Sequence, residues 1–208
     1  MRPASGLIAQ VSVPGLFGME VDDLGQTLPS HPEEEVYVAD SMATRQREFL
    51  LGRFCARAAL ALMGKKHVAI ARGASGAPVW PAGIVGSITH TQGYAAAIVG
   101  DSAYFAGMGV DAERVGGVTP LLYPKLFDCE ERAALAAMDE DRQALVSTIL
   151  FSAKESYFKA WSPLNGKPLS FPNIHIALDG ERFRANENHG HVAFADGLVV
   201  TALALPLG

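Results

Sequence analysis

The sequence predicts an α+β protein made of two similar halves that share a cleft, and three observations support this prediction. The chain has 208 residues, enough to bury a core as one large domain or as two of about 100 residues each. Apolar residues make up 49% of it and charged residues 19%, a balance that excludes a disordered chain. Each half contains a long helix and hairpin strands, so we expect the halves to span residues 1–105 and 106–208.

The first half contains one strong helix signal and one hairpin signal. Residues 1–40 are interrupted by proline and glycine, which predicts loops with one or two short strands. From Thr44 to Met63 apolar residues recur three and four positions apart, and Gly64 follows, so we expect a helix over this range. The apolar runs Ile84–His90 and Tyr94–Val99 are separated by three turn residues and predict a β-hairpin.

The second half begins with a predicted strand from Tyr104 to Glu113. A helix is expected near Tyr123–Met138, and another from about Gln143 to Trp161, which Pro163 should end. Short apolar runs then predict three strands: Ile174–Leu178, His191–Ala195 and Leu198–Leu205.

Charge is distributed unevenly along a chain whose net charge is −5. Residues 42–72 contain seven bases and one acid, Glu48, although acids outnumber bases overall. An acidic protein with one basic segment lacks the broad positive surface of a nucleic-acid-binding protein. The segment suits a small phosphorylated ligand or an acidic protein partner, and the alternative is an ordinary solvated helix face. The seven bases are Arg45, Arg47, Arg53, Arg57, Lys65, Lys66 and Arg72.

Targeting and redox features favour a cytoplasmic protein with no membrane partner. No run approaches the ~18–20 apolar residues of a membrane-spanning helix, and the N-terminal segment lacks the apolar stretch of a signal peptide. Cys55 and Cys129 form neither a CxxC pair nor a metal-ligand spacing. We therefore expect a reducing compartment, with both thiols filling space in a core.

Two acidic residues, Asp111 and Glu113, close the strand predicted after residue 104. Side chains alternate along a strand, so both carboxylates point to the same side and repel each other unless a cation lies between them. Oxygen-only ligands favour a hard ion such as Mg²⁺, which also binds substrate phosphates. The alternative is a strand end entering solvent, with Glu113 paired to Arg114 or another base.

A glycine pattern overlaps these acids, because residues 107–112 formally match the dinucleotide-binding fingerprint GxGxx(G/A). That fingerprint must open a helix whose N-terminus meets a pyrophosphate. Here the chain continues Glu-Arg-Val-Gly-Gly-Val-Thr-Pro, which does not favour a helix, and Asp111 would repel a phosphate. We reject this interpretation.

The second predicted helix of this half contains Glu155 and Lys159, which lie on one stripe because they are four residues apart. A carboxylate and an ammonium one turn apart can share the work of phosphate chemistry: the acid binds a metal or takes a proton, and the base neutralises the phosphate. The alternative is an exposed i,i+4 pair worth a few tenths of a kcal/mol.

A third candidate lies at the end of the first hairpin strand, in the segment Gly-Ser-Ile-Thr-His of residues 86–90. The hydroxyls and the imidazole could bind an anion there. A lone histidine in a β-turn is more often structural, and no Ser–His–Asp or Cys–His spacing accompanies it.

In this order and spacing, the segments resemble the 4′-phosphopantetheinyl transferases of the surfactin-synthetase-activating and enterobactin-synthase-component-D type. The resemblance runs from about Arg45 to Pro168, and its most specific part is the last two blocks at about 40 residues' separation. The matching blocks are Arg45-x-x-Glu-Phe-Leu-Leu-Gly-Arg53-x-Cys-Ala-Arg57, Ala77-Pro-Val-Trp80-Pro, Gly86-Ser-Ile-Thr-His90, Gly109-Val-Asp111-x-Glu113 and Phe151-Ser-x-Lys-Glu155-Ser-x-x-Lys159.

The resemblance implies transfer of the 4′-phosphopantetheine arm of coenzyme A to a serine of an acyl or peptidyl carrier protein, with release of adenosine 3′,5′-bisphosphate. It implies a pseudo-dimer with the active site in the cleft between its halves. Asp111, Glu113 and Glu155 fall on the family's Mg²⁺ ligands. Glu155 also matches its general base, and Lys159 its phosphate-binding lysine.

The same resemblance assigns the coenzyme A nucleotide to the first half. His90 falls where the family contacts the 3′-phosphate, with Ser87 and Thr89 nearby, and Arg45 and Arg53 match phosphate-binding arginines of the enterobactin type. Glu131 resembles an acid that supports the site. Where many relatives carry a base directly before the proline, the chain has Ala77, so either Arg72 substitutes from the same loop or that contact is absent. Phe151 replaces the commoner tryptophan, and residues 1–40 are left without an assigned counterpart in the family.

Two other functions fit the same residues. A Mg²⁺-dependent nucleotide or pyrophosphate hydrolase would use these acids with water as the nucleophile. A non-catalytic module that binds carrier proteins or nucleotides would keep the fold and lose the acids, all of which are present. A chain that completes its own cleft needs no partner subunit, so we expect a monomer.

Overall fold

A computed structural model of the chain describes residues 6–22, 25, 29–65, 68–166 and 169–207. It confirms the α+β class: helices and antiparallel strands are both abundant, and each of two sheets is covered by one long helix. In this part of the chain, no helix is long and apolar enough to cross a membrane. Lys66 and Pro168, which entered the sequence predictions, lie outside the described residues.

The elements follow in chain order. The helices are α1 (Leu7–Gln10), α2 (Pro32–Glu35), α3 (Ala43–Leu62), α4 (Tyr123–Leu126), α5 (Cys129–Ala136) and α6 (Glu140–Asn165). The strands are β1 (Phe17–Asp22), β2 (Ala71–Arg72), β3 (Pro78–Val79), β4 (Ile84–Thr91), β5 (Tyr94–Asp101), β6 (Phe105–Arg114), β7 (Ile176–Asp179), β8 (Arg182–Ala185), β9 (Asn188–Ala195) and β10 (Leu198–Pro206).

The first sheet has the strand order β1-β5-β4, and α3 lies across it. The predicted hairpin is confirmed, with Thr91 paired to Tyr94 across a turn whose Gly93 has a φ of 76°. Strand β5 is buried almost throughout and is rich in alanine, and α3 packs against it. The shared core contains Cys55, Ala56, Ala59, Leu60, Ala95, Ala97 and Val99.

The second sheet has the order β6-β10-β9-β8-β7 and is covered by α6, which packs on β6 and β10. Strands β6 and β4 are edge strands of their respective sheets, and they lie beside each other. We call this junction the seam. A core cluster beneath it combines residues of both sheets, among them Ile98, Met108, Val110 and Ala202, so the two halves form one packed body.

Several boundaries differ from the sequence predictions. The helix expected to end at Pro163 continues to Asn165, because Gly166 then adopts the left-handed conformation (φ 59°) and its N–H bonds the Ser162 carbonyl. The Asn165 side chain also donates to the Trp161 carbonyl at 2.9 Å, which satisfies another acceptor of the last turn. A proline is therefore tolerated here, two residues before the last residue of a well-capped helix.

The single helix expected over 123–138 is two helices, α4 and α5. Asp128 interrupts it: this residue is extended, and its side chain accepts the Glu131 N–H while Glu131 accepts the Asp128 N–H. This capping box starts a new helix. Cys129 follows as an exposed residue, so the prediction that both thiols fill a core is wrong for Cys129 and holds for Cys55.

The N-terminal segment is more ordered than its composition predicts. Besides the expected strand β1, it contains two short helices, α1 and α2, that were not predicted. In the second half, strand β8 was not predicted either. The buried Glu20 carboxylate accepts the N–H groups of Gly6, Leu7 and Ile8 and the Tyr94 hydroxyl. This single carboxylate ties α1 to the first sheet.

Candidate active site

The close approach of α6 to β6 positions the acidic end of that strand. Added side chains at Gly107 or Gly109 would collide with the backbone of α6 at Ala160 and Ser156. Side chains alternate along a strand, so Asp111 lies on the same side, farther along, facing the same helix. The rejection of the dinucleotide fingerprint is confirmed, because these glycines lie within a continuous strand.

Asp111 and Lys159 form an ion pair at the seam, with Lys159 Nζ 2.6 Å from Asp111 Oδ1 and 3.1 Å from the Val110 carbonyl oxygen. Asp111 is only 4% exposed, whereas Lys159 is partly accessible. The second carboxylate oxygen, Asp111 Oδ2, is buried and has no hydrogen-bond partner among the described residues. Because an unpaired buried carboxylate oxygen is costly, this atom is suited to a cation.

Glu113 and Glu155 lie close enough to Asp111 to feel its charge. Burial raises the pKa of Glu113 to about 7, and the Asp111 and Glu155 carboxylates add to the effect while Lys159 opposes it. Burial likewise raises the pKa of Glu155, with Asp111 contributing and Lys159 opposing. The two glutamates that the sequence singled out therefore lie within electrostatic range of the Asp111–Lys159 pair.

The contacts of Arg114 and Lys159 argue against the alternatives given for these residues. Arg114 does not pair with Glu113: its guanidinium donates to the carbonyls of Gln92 and Asp196. Lys159 pairs with Asp111 on another element and not with an exposed acid of its own helix.

The predicted Mg²⁺ ligands do not form a preformed coordination site. Within the described residues, no three His, Cys, Asp or Glu side chains are close enough together to hold a metal ion. The donor set nevertheless fits Mg²⁺ in chemistry: carboxylate oxygens only, one of them buried and unpartnered at Asp111.

A basic cluster lies on the first-half side of the seam. Arg45 Nη1 donates to His90 Nε2 at 2.8 Å, so the neutral imidazole carries its proton on Nδ1, which lies 3.6 Å from Glu48 Oε2. Burial lowers the pKa of His90, and its neighbours include both Arg45 and the Lys159–Asp111 pair. The basic cluster and the acid cluster are thus adjacent.

Arg53 belongs to the same cluster but is almost fully buried. Its Nε donates to the Ile70 carbonyl at 2.9 Å, and its guanidinium lies 4.3 Å from the centre of the Phe49 ring. Burial lowers the pKa of Arg53 to about 10, with Arg72 and Arg45 close enough to contribute. Arg72, on β2, is exposed.

Ser87 and Thr89 do not join His90. They alternate with it along β4, so their side chains point to the other side of the strand, and both are buried. Thr89 Oγ1 accepts the Ala112 N–H at 3.1 Å and donates to Asp111 Oδ1 at 3.4 Å. Its observed partners are therefore in the second half, at the acid cluster.

Glu131, predicted to support the site, forms a buried ion pair that the sequence analysis missed. Lys154 is fully buried, with Nζ 2.5 Å from Glu131 Oε2 and within hydrogen-bond distance of the Leu126 and Phe171 carbonyls. It immediately precedes Glu155, so the pair anchors α6 where the helix enters the acid cluster. One signal in the sequence could have indicated this pair: Lys154 lies in an apolar stretch of a helix, 23 residues after Glu131, which is part of a capping box.

A second missed pair lies behind the basic cluster. Arg57 and Glu34 form a buried ion pair, and Glu34 Oε1 accepts the Ile70 N–H at 2.8 Å. Ile70 is thus bonded on its N–H side by Glu34 and on its carbonyl side by Arg53. This anchors the 29–38 segment to α3.

Two family models match this chain and together cover most of it. The model of the 4′-phosphopantetheinyl transferase N-terminal domain matches residues 33–100. The model of the 4′-phosphopantetheinyl transferase superfamily matches residues 107–202.

Named relatives agree with these matches. The 4′-phosphopantetheinyl transferase Npt of Nocardia iowensis is 36% identical over 88% of this chain and 82% of its own length. Svp of Streptomyces mobaraensis, also named a 4′-phosphopantetheinyl transferase, is 38% identical over 84% and 78%. Enterobactin synthase component D of Salmonella typhi is 36% identical over 57% and 49%. With both models matched and two relatives aligned over most of their length, this chain belongs to the 4′-phosphopantetheinyl transferase superfamily.

Proposed function

We propose that this protein transfers the 4′-phosphopantetheine group of coenzyme A to a serine hydroxyl of an apo acyl or peptidyl carrier protein and releases adenosine 3′,5′-bisphosphate. One observation carries the proposal: the Asp111–Lys159 pair and its neighbouring acids adjoin the Arg45–His90 pair across the seam. The first cluster suits a reacting pyrophosphate and the second a separate phosphate, which is the arrangement of charges in coenzyme A.

The basic cluster is proposed to bind the nucleotide end. Arg45 and His90 present partly exposed donors, and Arg72, which is near Arg53, is exposed. Arg53 is proposed to add charge from beneath, since only 5% of it is exposed. Guanidinium–phosphate contacts are charge-assisted and frequently bidentate, which favours arginine at such a site.

Mg²⁺ is proposed to bind Asp111, Glu113 and Glu155. When bound, the ion would neutralise charge that develops on the pyrophosphate oxygens. The unpartnered Asp111 Oδ2 and the raised pKa values of the two glutamates support this assignment, because three clustered carboxylates repel one another without a cation.

The proposed transfer step uses two residues of α6. Glu155, whose pKa is raised, accepts the proton of the carrier serine as the serine oxygen forms a bond to the phosphorus that carries pantetheine. The bond from that phosphorus to the bridging oxygen breaks, and the electron pair leaves with adenosine 3′,5′-bisphosphate. The ammonium of Lys159, held beside Asp111, neutralises the phosphate charge in this step.

The protein is further proposed to act as a monomer in the cytoplasm. Both clusters come from one chain: β4 and α3 supply the basic side, and β6 and α6 the acidic side. The boundary between the two halves, placed between residues 105 and 106, also stays a prediction.

Mass spectrometry of an apo carrier protein tests the proposal. Incubation with coenzyme A, Mg²⁺ and this protein should add the phosphopantetheine mass, about 340 Da, to the carrier. Asp111→Asn and Glu155→Gln should each abolish the gain while the far-ultraviolet circular dichroism stays unchanged. If coenzyme A is cleaved without any gain on several acyl and peptidyl carriers, the protein is a hydrolase and the proposal is wrong.

A further inference from the structure

The Thr89 hydroxyl occupies the point where the two sheets meet. Strand β4 ends the first sheet and β6 ends the second, and neither sheet continues across the seam. Thr89 Oγ1 accepts the N–H of Ala112, an edge-strand amide that would otherwise be buried without a partner. A single side chain therefore replaces a main-chain ladder bond between the halves.

The same oxygen also contacts the acid cluster. Thr89 Oγ1 donates to Asp111 Oδ1, the oxygen that accepts the Lys159 ammonium. Two donors on Oδ1 restrict the rotation of the carboxylate, and they leave Oδ2 buried without a hydrogen-bond partner among the described residues. Because Ala112 follows Asp111 directly, the two hydrogen bonds fix the backbone and the side chain at one position.

We propose that Thr89 is a positioning residue, which holds the Asp111 carboxylate in place across the seam and does not contact the nucleotide. The inference rests on the proposed function and deepens it, because it identifies how the first half controls the acid cluster of the second. The burial of Thr89 and its orientation away from His90 support this role.

Thr89→Val and Thr89→Ser separate this role from packing. Valine keeps the shape and removes the hydroxyl, whereas serine keeps the hydroxyl and removes a methyl group. A positioning role predicts that Thr89→Val lowers kcat by about tenfold to a hundredfold, the range for loss of a hydrogen bond to a charged group, and that Thr89→Ser restores kcat to within about threefold of the unmodified protein. A packing role predicts the opposite order, since serine leaves the larger cavity.

The KM for coenzyme A distinguishes positioning from nucleotide binding. We expect Thr89→Val to change this KM by less than about threefold while the Mg²⁺ concentration for half-maximal activity rises, because Asp111 Oδ2 is no longer held in place. If Thr89 bound the nucleotide, Thr89→Val would raise the KM for coenzyme A more than that for dephospho-coenzyme A and leave kcat near normal.

Amide hydrogen exchange provides a readout that does not depend on turnover. In Thr89→Val the Ala112 amide loses its acceptor and should exchange at least about tenfold faster, while Thr89→Ser should keep it protected. Thr148→Val is the matched control: this buried threonine, about 10 Å before Glu155 on α6, also accepts a backbone N–H, from Gly116 at 3.4 Å. The Thr148→Val variant should speed the exchange of the Gly116 amide and leave kcat unchanged.

The result that overturns the inference is a tenfold loss of kcat in Thr89→Ser, or an unchanged kcat and an unchanged Ala112 exchange rate in Thr89→Val. The serine variant decides the matter even if the valine variant does not fold. Failure of the proposed function is seen separately, as absence of transfer by the unmodified protein, whereas the exchange measurement tests the Thr89–Ala112 bond in either case.

Discussion

Gly109 and Ser156 are in direct backbone contact: a Cβ on Gly109 would lie 1.7 Å from the Ser156 carbonyl oxygen. No side chain other than hydrogen fits between strand β6 and helix α6 at this point. The consequence is functional, because the next residue on that face of the strand is Asp111, and the next turn of the helix carries Lys159. The contact therefore determines how far the acid lies from the ammonium.

Gly109→Ala should separate α6 from β6, because a backbone oxygen cannot move aside as a flexible side chain can. We expect the melting temperature to fall by several degrees, since overpacking costs about 1–3 kcal/mol and each kcal/mol moves Tm by about 2–4 °C. Holo-carrier formation should fall by more than the folded fraction does. Gly73→Ala is the control: its Cβ would meet nothing nearer than 3.4 Å, and its Tm should match that of the unmodified protein.

The fold was largely predictable because its strongest elements are locally encoded. The α3 periodicity and the hairpin turn at Gly93 depend on near neighbours in sequence, and both were found within one or two residues. Two of the errors arose where a single residue overrides a pattern. Asp128 divides a periodic segment by capping a second helix, and Gly166 extends a helix beyond the proline that was expected to end it.

The sequence indicated which of the candidate residues would lie near one another better than it indicated their geometry. Residue types and spacing indicated Asp111, Glu113, Glu155 and Lys159, which the structure brings together. The segment around His90 was expected to act as one anion site, yet alternation along β4 divides it between two sides of the sheet. Long-range pairs such as Lys154–Glu131 and Arg57–Glu34 depend on tertiary packing, which one sequence does not reveal.

The raised pKa of Glu113 predicts a pH-dependent stability in metal-free protein. Its carboxyl has a pKa near 7 in the folded state and an ordinary value of 4.5 when exposed, so the folded state binds the proton more tightly. This contribution is fully present below about pH 4.5 and is lost as the pH rises through 7. We expect Glu113→Gln, which cannot ionise, to raise Tm by a few degrees at pH 8 and much less at pH 5, measured with EDTA present.

Added Mg²⁺ is the control for this measurement. If the ion binds the three carboxylates, it should raise the Tm of the unmodified protein at pH 8 and have a smaller effect on Glu113→Gln. An equal Tm difference between the two proteins at pH 5 and pH 8 would contradict the raised pKa of Glu113.

Lys154→Met should destabilise the protein strongly, because it leaves Glu131 buried without its cation. Removal of one partner of a buried ion pair costs about 3–5 kcal/mol. Urea denaturation should therefore show a large fall in the midpoint. The double variant Lys154→Met/Glu131→Gln should recover part of this loss, since the remaining amide is neutral; no recovery would mean that Lys154 acts through the Leu126 and Phe171 carbonyls instead.

Arg45 and Arg53 should respond differently to the 3′-phosphate of coenzyme A, because one is accessible and the other is buried. The Arg45 side chain is 49% exposed and bonds His90, whereas Arg53 is 5% exposed and bonds the Ile70 carbonyl. For the unmodified protein, dephospho-coenzyme A should be poorer than coenzyme A by about ten- to a hundredfold in kcat/KM, the value of a charge-assisted contact.

Arg45→Ala should remove most of this preference by slowing turnover of coenzyme A and leaving that of dephospho-coenzyme A nearly unchanged, since the phosphate it would contact is already missing. Arg53→Ala should also reduce the preference, but it orphans the Ile70 carbonyl and should lower Tm as well. Arg47→Ala, on the same helix, serves as the control for loss of one positive charge. Steady-state kinetics with both substrates decides the assignment. Equal losses of kcat/KM on the two substrates for Arg45→Ala would place Arg45 at the pyrophosphate. Small effects on both would mean that the basic segment is an ordinary solvated helix face.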